Sequence, residues 1–475
     1  MTETIKVRNP RSGAYDYEIP VTTGDEIEAI AAELRGAQPA WREGGVAARI
    51  DVLQRWKAEL TDSADAIVAA LSADTGRKAL ARGELLGLIG MIDRWSADAP
   101  GLMETDERPS DQLPDVALRQ QLDPYPLLGV ISPWNFPLLL SFIDAVPALL
   151  AGCAAIIKPS EVTPRFAAAV GETTARVPEL HYVLRFISGD GRSGAALIDN
   201  VDLLAFTGSV ATGKKVAAAA AAAFIPVFLE LGGKDPAVVL PGSDLDRATT
   251  SILRASVAGT GQACQSLERI YVHESQYDEF VELLTKKAAA TKLSYPDPDS
   301  GIVGPLIFDK QADIIESHLE DAVARGAVVQ TGGKLMRQDG GCWIEPTVLS
   351  NVDHSMLIMT DETFGPVMPV MAYSTVDEAL KLANDTHYGL SGAVFAPDEG
   401  DAVAFAQQMQ AGGISVNDAG MTTMTFEACK QAFKYSGLGP SRMGPTGLTR
   451  FFREKALYLN RGAVTPIESQ AEGNT

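Results

Sequence analysis

The sequence predicts an α/β protein built from two doubly wound α/β units in tandem plus a small β arm. Short β-rich apolar runs alternate with helical stretches from about residue 128 onward, and the alternation comes in two series. The 475 residues, 46% hydrophobic and 21% charged, supply apolar material for more than one packed core. That composition excludes disorder or a fibrous repeat for the bulk of the chain.

The first hundred residues read as helices. Ile27, Ile30, Ala31 and Leu34 recur at helical spacing, as do Val52, Leu53, Trp56 and Leu60, with Gly76 as a stop. The stretch 124–143 carries no formal charge over about a membrane span, but Pro126, Gly129, Pro133, Asn135 and Pro137 interrupt it, so it reads as buried strand and loop. Strands are expected at 128–131, 153–157, 183–187, 203–206 and 225–229, with helices at 164–177 and 210–222. The alanine run 217–223 reads as a helix packed closely on a sheet. The second series has strands at 237–240, 269–273, 367–372, 392–395 and 414–416, and helices at 245–257, 276–290 and 310–324. Segments 115–122 and 456–460 read as partly wet strands, which invite pairing with another chain. The polar tail from Thr465 is expected to be disordered.

Charge narrows the function. With 40 Lys and Arg against 61 Asp and Glu, the net charge of −21 repels nucleic acid and anionic lipid, and no basic run offsets it. The four cysteines lie far apart without a C-x-x-C pair, and residues 1–17 mix charge and proline, so a cytoplasmic protein without membrane or nucleic-acid partners is expected. The five histidines form no H-E-x-x-H or Cys/His cluster, and Asp297-Pro298-Asp299-Ser300-Gly301 lacks the later ligands of a calcium loop; no metal is indicated.

Several segments could carry chemistry. Gly189-Asp190-Gly191-Arg192-Ser193-Gly194 is a literal G-x-G-x-x-G, open to two readings: a dinucleotide fingerprint, or a structural strand-to-helix turn, since Lys214 and Lys215 stand where the ribose-binding acid belongs. Phe206-Thr207-Gly208-Ser209 is a better phosphate site, because Gly208 lets the backbone approach and Ser209 starts a helix whose free N–H groups attract an anion. Cys153, in an apolar run, Cys342, beside Trp343 in a loop, and Cys429 are read as structural. Cys264 differs, lying in Gly259-Thr260-Gly261-Gln262-Ala263-Cys264-Gln265, a small-residue loop that can hold a thiol at the bottom of a cleft. Glu230 ends an apolar strand before two glycines and suits general-base work, though a plain strand-end glutamate fits the same pattern; Asn135, amid aromatic and apolar residues, is suited to an oxyanion or to a simple turn.

Seven motifs in one order resemble the aldehyde dehydrogenase superfamily from about Leu128 to about Arg453: Pro133-Trp134-Asn135-Phe136, Lys158-Pro159-Ser160-Glu161, Phe206-Thr207-Gly208-Ser209, Glu230-Leu231-Gly232-Gly233-Lys234, Gly261-Gln262-x-Cys264, Glu362-x-Phe364-Gly365-Pro366 and Tyr388-Gly389-Leu390-Ser391. The resemblance implies that Cys264 attacks the aldehyde as a thiolate, and that the Asn135 side chain and the Cys264 N–H hold the oxyanion. Hydride then passes to a nicotinamide, and Glu230 activates the water that hydrolyses the thioester. It also implies that Lys158 and Glu161 hold the adenosine ribose, Gly208 and Ser209 a phosphate, and Glu362 the nicotinamide ribose, with Ser132, Trp134, Leu231 and Phe364 nearby. NAD is favoured over NADP because Glu161 would repel a 2′-phosphate, and hydrolysis over transfer to coenzyme A because Glu230 is present.

By the same resemblance, residues 1–105 and 125–230 form a Rossmann-like NAD-binding domain and 231–450 the catalytic domain. Residues 106–124 and 451–466 form the oligomerisation arm of a homodimer or homotetramer, and 467–475 a disordered tail. One segment departs from the family pattern. Cys429-Lys430-Gln431-Ala432-Phe433 stands where many members have Pro-Phe-Gly-Gly near the substrate entrance. Phe136, Leu140, Ile143, Ala263 and Gln265 suggest an apolar funnel and an aromatic or medium apolar aldehyde. Lys430 could instead attract a carboxylate-bearing semialdehyde, but pairing with Glu427 on a turn is the expectation. A scaffold protein that kept the fold without catalysis would lack Cys264, Asn135 or Glu230, and all three are present.

Overall fold

The computed structural model describes residues 3–470. Its first sheet runs, in spatial order, Gly437–Leu438, Val227–Glu230, Leu203–Thr207, Leu127–Ile131, Ala154–Lys158 and Leu184–Phe186. All neighbours are parallel except the antiparallel edge strand Gly437–Leu438. Leu128, Ile156, Ile157, Leu203 and Leu204 are fully buried because helices cover both faces, which is why these strands read as apolar runs rather than alternating ones.

The chain enters this sheet at Leu127–Ile131, moves to one side through Ala154–Lys158 and Leu184–Phe186, then crosses to the other through Leu203–Thr207. The direction reverses beside Leu127–Ile131, so a crevice opens where that strand and Leu203–Thr207 end, the preferred ligand position in such sheets. Helix Pro137–Ala151, apolar on nearly every side, is wedged between the sheet and the helices Gly45–Asp62 and Lys78–Leu102. There the rings of Trp56 and Phe142 lie 5.1 Å apart, and the Trp56 indole donates to Thr173 Oγ1 at 2.8 Å, so a large buried aromatic keeps its polar atom satisfied.

The second sheet runs Val328–Thr331, Thr347–Ser350, Val367–Tyr373, Leu267–His273, Asp235–Val239, Ser391–Phe395 and Gly413–Val416, with only Val328–Thr331 antiparallel to its neighbour. A third, antiparallel sheet joins Phe452–Asn460, Val116–Pro124 and Glu107–Pro109; the first two pair without a register shift from Phe452↔Pro124 to Asn460↔Val116.

Several expectations change. The chain opens with a hairpin, Thr4–Arg8 against Tyr15–Pro20, rather than with helices. Ile5 and Val7 alternate with Lys6 and Arg8, a period of two that the helical reading of the first hundred residues passed over. Cys342 lies in a buried strand, Gly341–Ile344, paired with Leu335–Gln338, not in a loop. The G-x-G-x-x-G segment is the strand-to-helix turn: the Asp190 side chain accepts from Arg192 N–H to start helix Gly191–Ile198. Of the tail, Ile467–Gln470 forms an exposed 3₁₀ turn, and residues 471–475 lie outside the described residues. No helix among the described residues is long and apolar enough to cross a membrane.

Candidate active site

The loop before Cys264 is held by its backbone. Helix Leu245–Val257 ends, and Gly259, Thr260 and Gly261 follow with φ of +63°, +64° and +67°. At Thr260 this left-handed conformation costs about 1–2 kcal/mol. The loop tolerates it because Thr260 Oγ1 accepts the Gly304 N–H at 3.1 Å. A Cβ on Gly261 would fall 2.3 Å from the Gly365 carbonyl, so only glycine lets this loop touch the segment that carries Glu362 and Phe364.

Cys264 is half-buried. Burial pushes its thiol up to about 12; Asp235, Glu230 and Glu362 push the same way, and Lys430 opposes them. Asn135 is buried at the corner between strand Leu127–Ile131 and helix Pro137–Ala151. Glu84 fixes that corner by accepting the Leu138 and Leu139 N–H groups at 3.0 and 3.1 Å, which satisfies the start of the helix. Arg77 donates to the Asn135 carbonyl and, at 2.8 Å, to that of Gly259, tying the Asn135 corner to the Cys264 loop. The Asn135 amide spends one hydrogen on the Gln262 carbonyl at 2.9 Å, leaving its second for an incoming oxygen.

Glu230 ends strand Val227–Glu230, and its carbonyl accepts the Gly208 N–H at 3.1 Å. Its carboxylate meets a buried cluster: Arg442 Nε stands 3.7 Å from Oε1, while Arg442 Nη2 donates to Asp144 at 2.9 Å and to Thr207 Oγ1 at 2.7 Å. Arg450 also pairs with Asp144. Two guanidinium groups and two carboxylates thus share one buried site of no net formal charge.

Cys264, Glu230 and Asn135 open onto one cleft continuous with solvent, together with Trp134, Leu140, Gly208, Ser209, Leu231, Glu362 and Phe364. Ser209 caps helix Val210–Ala222 by accepting from Thr212 N–H at 3.3 Å, which leaves the N–H groups of Val210 and Ala211 without a helical partner. Trp134 and Phe364 meet edge to face, 5.3 Å between centroids. The Glu362 carboxylate takes the Gly233 N–H at 3.0 Å; burial, with Glu268 adding to it, pushes Glu362 up to about 8. Lys158 is buried 3.6 Å from the more exposed Glu161. Ser132 faces inward, its hydroxyl bonded to that of Ser141 at 2.7 Å.

Other expected pocket residues stand elsewhere. Ile143 is in the core of the first unit, and the Phe136 ring lies under the Arg77 guanidinium at 5.2 Å. Neither these two nor Ala263 and Gln265 line the cleft, and Gln265 instead meets the Thr422 hydroxyl. Lys430 does not pair with Glu427; its Nζ is buried without a hydrogen-bond partner, because its stem turns inward over Gly413.

Sequence reasoning missed the supports behind these residues. Lys234 and Glu268 form a buried pair at 2.8 Å, and Glu268 accepts the Thr363 and Phe364 N–H groups, each at 2.7 Å, holding the segment that presents Glu362 and Phe364. Arg442 and Asp144 escaped as well, although Asp144, closing an uncharged run, carried a signal. No group of three or more His, Cys, Asp or Glu side chains among the described residues could hold a metal ion.

Comparison with known proteins agrees with this geometry. A family model described as "Aldehyde dehydrogenase family" matches residues 1–457. The chain is 36% identical over 470 residues to "4,4'-diapolycopene aldehyde oxidase" of a Methylomonas species, covering 97% of this chain and 87% of that one. It is 34% identical over 447 residues to "Putative succinate-semialdehyde dehydrogenase [NADP(+)] 2" of Mycobacterium ulcerans, covering 93% and 86%. A solved structure described as "Putative Aldehyde Dehydrogenase PutA" of Anabaena variabilis superposes with a TM-score of 0.96 at 50% identity, covering 98% of this chain and 99% of that one. A cleft that gathers a thiol, a carboxylate and an amide at a strand-order reversal, on a fold shared over nearly its whole length with such proteins, makes this chain an oxidoreductase of the aldehyde dehydrogenase family.

Proposed function

We propose that the protein oxidises an aldehyde to the carboxylic acid with NAD, through a covalent adduct on Cys264 that water hydrolyses with Glu230 as general base. The observation that carries this reading is the convergence of Cys264, Glu230 and Asn135 on one cleft with Glu362 and Phe364. The Cys264 sulfur bonds to the aldehyde carbon, and the free hydrogen of the Asn135 amide and the Cys264 N–H stabilise the oxygen as it becomes negative. Glu230 takes a proton from the water that attacks the thioester, and the acid leaves with the thiol restored.

A bound nicotinamide supplies the hydride acceptor. Lys158 and Glu161 suit an adenosine ribose, Gly208, Ser209 and the open helix start suit a phosphate, and Glu362 suits the second ribose, with Ser132, Trp134, Leu231 and Phe364 around them. Glu161 supports NAD over NADP, since its carboxylate would repel a 2′-phosphate; NADP is the alternative. The four free cysteines accord with a reducing, cytoplasmic location. The exposed edge strand Phe452–Asn460 suits a homodimer or homotetramer contact.

Leu140, the one expected pocket residue that lines the cleft, supports an aromatic or medium apolar substrate. Relatives named for succinate semialdehyde favour a second reading, a carboxylate-bearing aldehyde. NADH formation should vanish in Cys264→Ser, and Glu230→Gln should give a burst and then stall. A Cys264→Ser enzyme with normal turnover would refute the mechanism. A strong preference in kcat/KM for succinic semialdehyde over benzaldehyde would exclude the apolar substrate.

A further inference from the structure

We propose that Arg77 is the positioning residue of the oxyanion hole: by spanning the Asn135 and Gly259 carbonyls, it fixes how far the Asn135 amide stands from the Cys264 N–H. The inference rests on the reading of that amide and that N–H as the two donors to the aldehyde oxygen.

The two donors belong to different sheets. Asn135 follows strand Leu127–Ile131 of the first, and Cys264 precedes strand Leu267–His273 of the second. Their separation depends on whatever joins the two loops, and here a closed ring of hydrogen bonds does so. Arg77 Nη1 donates to the Gly259 carbonyl at 2.8 Å, and the same carbonyl accepts the Gln262 N–H at 3.2 Å. The Gln262 carbonyl accepts Asn135 Nδ2 at 2.9 Å, and the Asn135 carbonyl accepts Arg77 Nη2, which completes the ring. A planar guanidinium suits this place because its two Nη groups hold their acceptors at a fixed spacing.

The surroundings are shaped for that side chain. A Cβ on Gly304 would fall 2.7 Å from Arg77 Cγ, and one on Gly259 would fall 2.7 Å from Nη1, so bare glycines let the stem and the guanidinium through. Arg77 is buried, which lowers it to about 10 while Glu84 opposes the fall. It therefore keeps its charge at neutral pH, and its bonds to the two carbonyls are charge-assisted. Glu84, two turns along helix Lys78–Leu102, holds the Leu138 and Leu139 N–H groups. One helix thus grips the Asn135 corner on both sides. As the Cys264 thiolate adds to the aldehyde carbon, the C–S bond forms, the C=O π bond breaks and its electron pair moves onto oxygen. That oxygen needs both donors within bonding distance at once. Arg77 itself does not line the cleft, so it acts only through where it places them.

The test is single-turnover NADH formation at saturating NAD, with enzyme in excess over benzaldehyde or succinic semialdehyde, whichever wild type oxidises faster. Arg77→Met should lower the rate about tenfold to a hundredfold, since misplacing a donor by about 1 Å is expected to cost that much. Gly304→Ala, which keeps the charge and presses on the Arg77 stem, should lower the rate as well; either variant suffices if the other does not fold. In an Asn135→Ala background the amide to be positioned is gone, so Arg77→Met should cost only about a few-fold more. Wild-type rates in the folded variants would overturn the inference. So would losses from Arg77→Met and Asn135→Ala that multiply in the double variant, which would make Arg77 a contact of the fold alone. Cys264→Ser and Asn135→Ala serve as controls: if either keeps the wild-type rate, the reading of the donors has failed and the inference falls with it, whereas a loss in both beside a wild-type rate in Arg77→Met refutes the role of Arg77 alone.

Discussion

Arg442 points its Nε at Glu230 from 3.7 Å, and that Nε has no other partner, although the same guanidinium is fixed at Nη2 by Asp144 and Thr207. An anchored donor just beyond bonding distance limits where the Glu230 carboxylate can rest without locking it in place. Arg442→Met should therefore slow thioester hydrolysis more than acylation, by roughly tenfold to a hundredfold, since misplacing a general base by about 1 Å is expected to cost that much. Stopped-flow kinetics would show an intact NADH burst followed by a reduced steady state. A loss of burst and steady state in equal proportion would mean that Arg442 serves the fold alone.

The pair Lys234–Glu268 should behave as one unit. Removing one partner strands the other charge in the core, so Lys234→Met or Glu268→Gln should cost about 3–5 kcal/mol in thermal or denaturant unfolding. The double variant should cost less than the sum. Because Glu268 holds the Thr363 and Phe364 N–H groups, KM for the cofactor should rise in Glu268→Gln. Strict additivity of the two single variants would refute the coupling.

Glu362 gives a pH signature. Its carboxyl is pushed up to about 8 in the folded chain by burial, with Glu268 adding to the rise, against an ordinary value near 4.5. Between those values the folded chain holds a proton that the unfolded chain has released, so raising the pH across that window lowers stability. Glu362→Gln removes this contribution. Its Tm should fall less steeply than that of wild type from about pH 5 to about pH 8, with a difference of a few kcal/mol, at most about 5, at the upper end. Parallel Tm curves would rule out the raised carboxyl.

Glu161 is the proposed discriminator of cofactor. Its side chain is 42% exposed, so its repulsion of a 2′-phosphate is screened and worth about 1 kcal/mol. Glu161→Gln should raise kcat/KM for NADP relative to NAD by roughly fivefold. An unchanged ratio would move the choice of cofactor to other residues.

The helix and strand pattern from about residue 128 onward was largely legible, because strands such as Leu203–Thr207 and helices such as Val210–Ala222 carry their own apolar periodicity and turn residues. So were Cys264, Glu230 and Asn135, each set in a motif whose small or apolar neighbours betray a cleft. The hairpin Thr4–Arg8 with Tyr15–Pro20 was not, since two short strands with charged outer faces resemble any polar start of a chain.

By itself the sequence marked Cys264, Glu230 and Asn135 as candidates for nucleophile, base and oxyanion donor, because seven motifs in one order carry a family resemblance that no single segment's composition supplies. The tertiary structure alone decided what stands behind them: Arg442 against Glu230, Glu268 beneath the Glu362 segment, and Lys430 turned inward instead of toward Glu427. Those contacts join positions as far apart in the chain as 144 and 442, or 268 and 363. A charge's role depends on what lies within a few ångströms of it, and for buried charges that neighbourhood is assembled only when the two sheets pack.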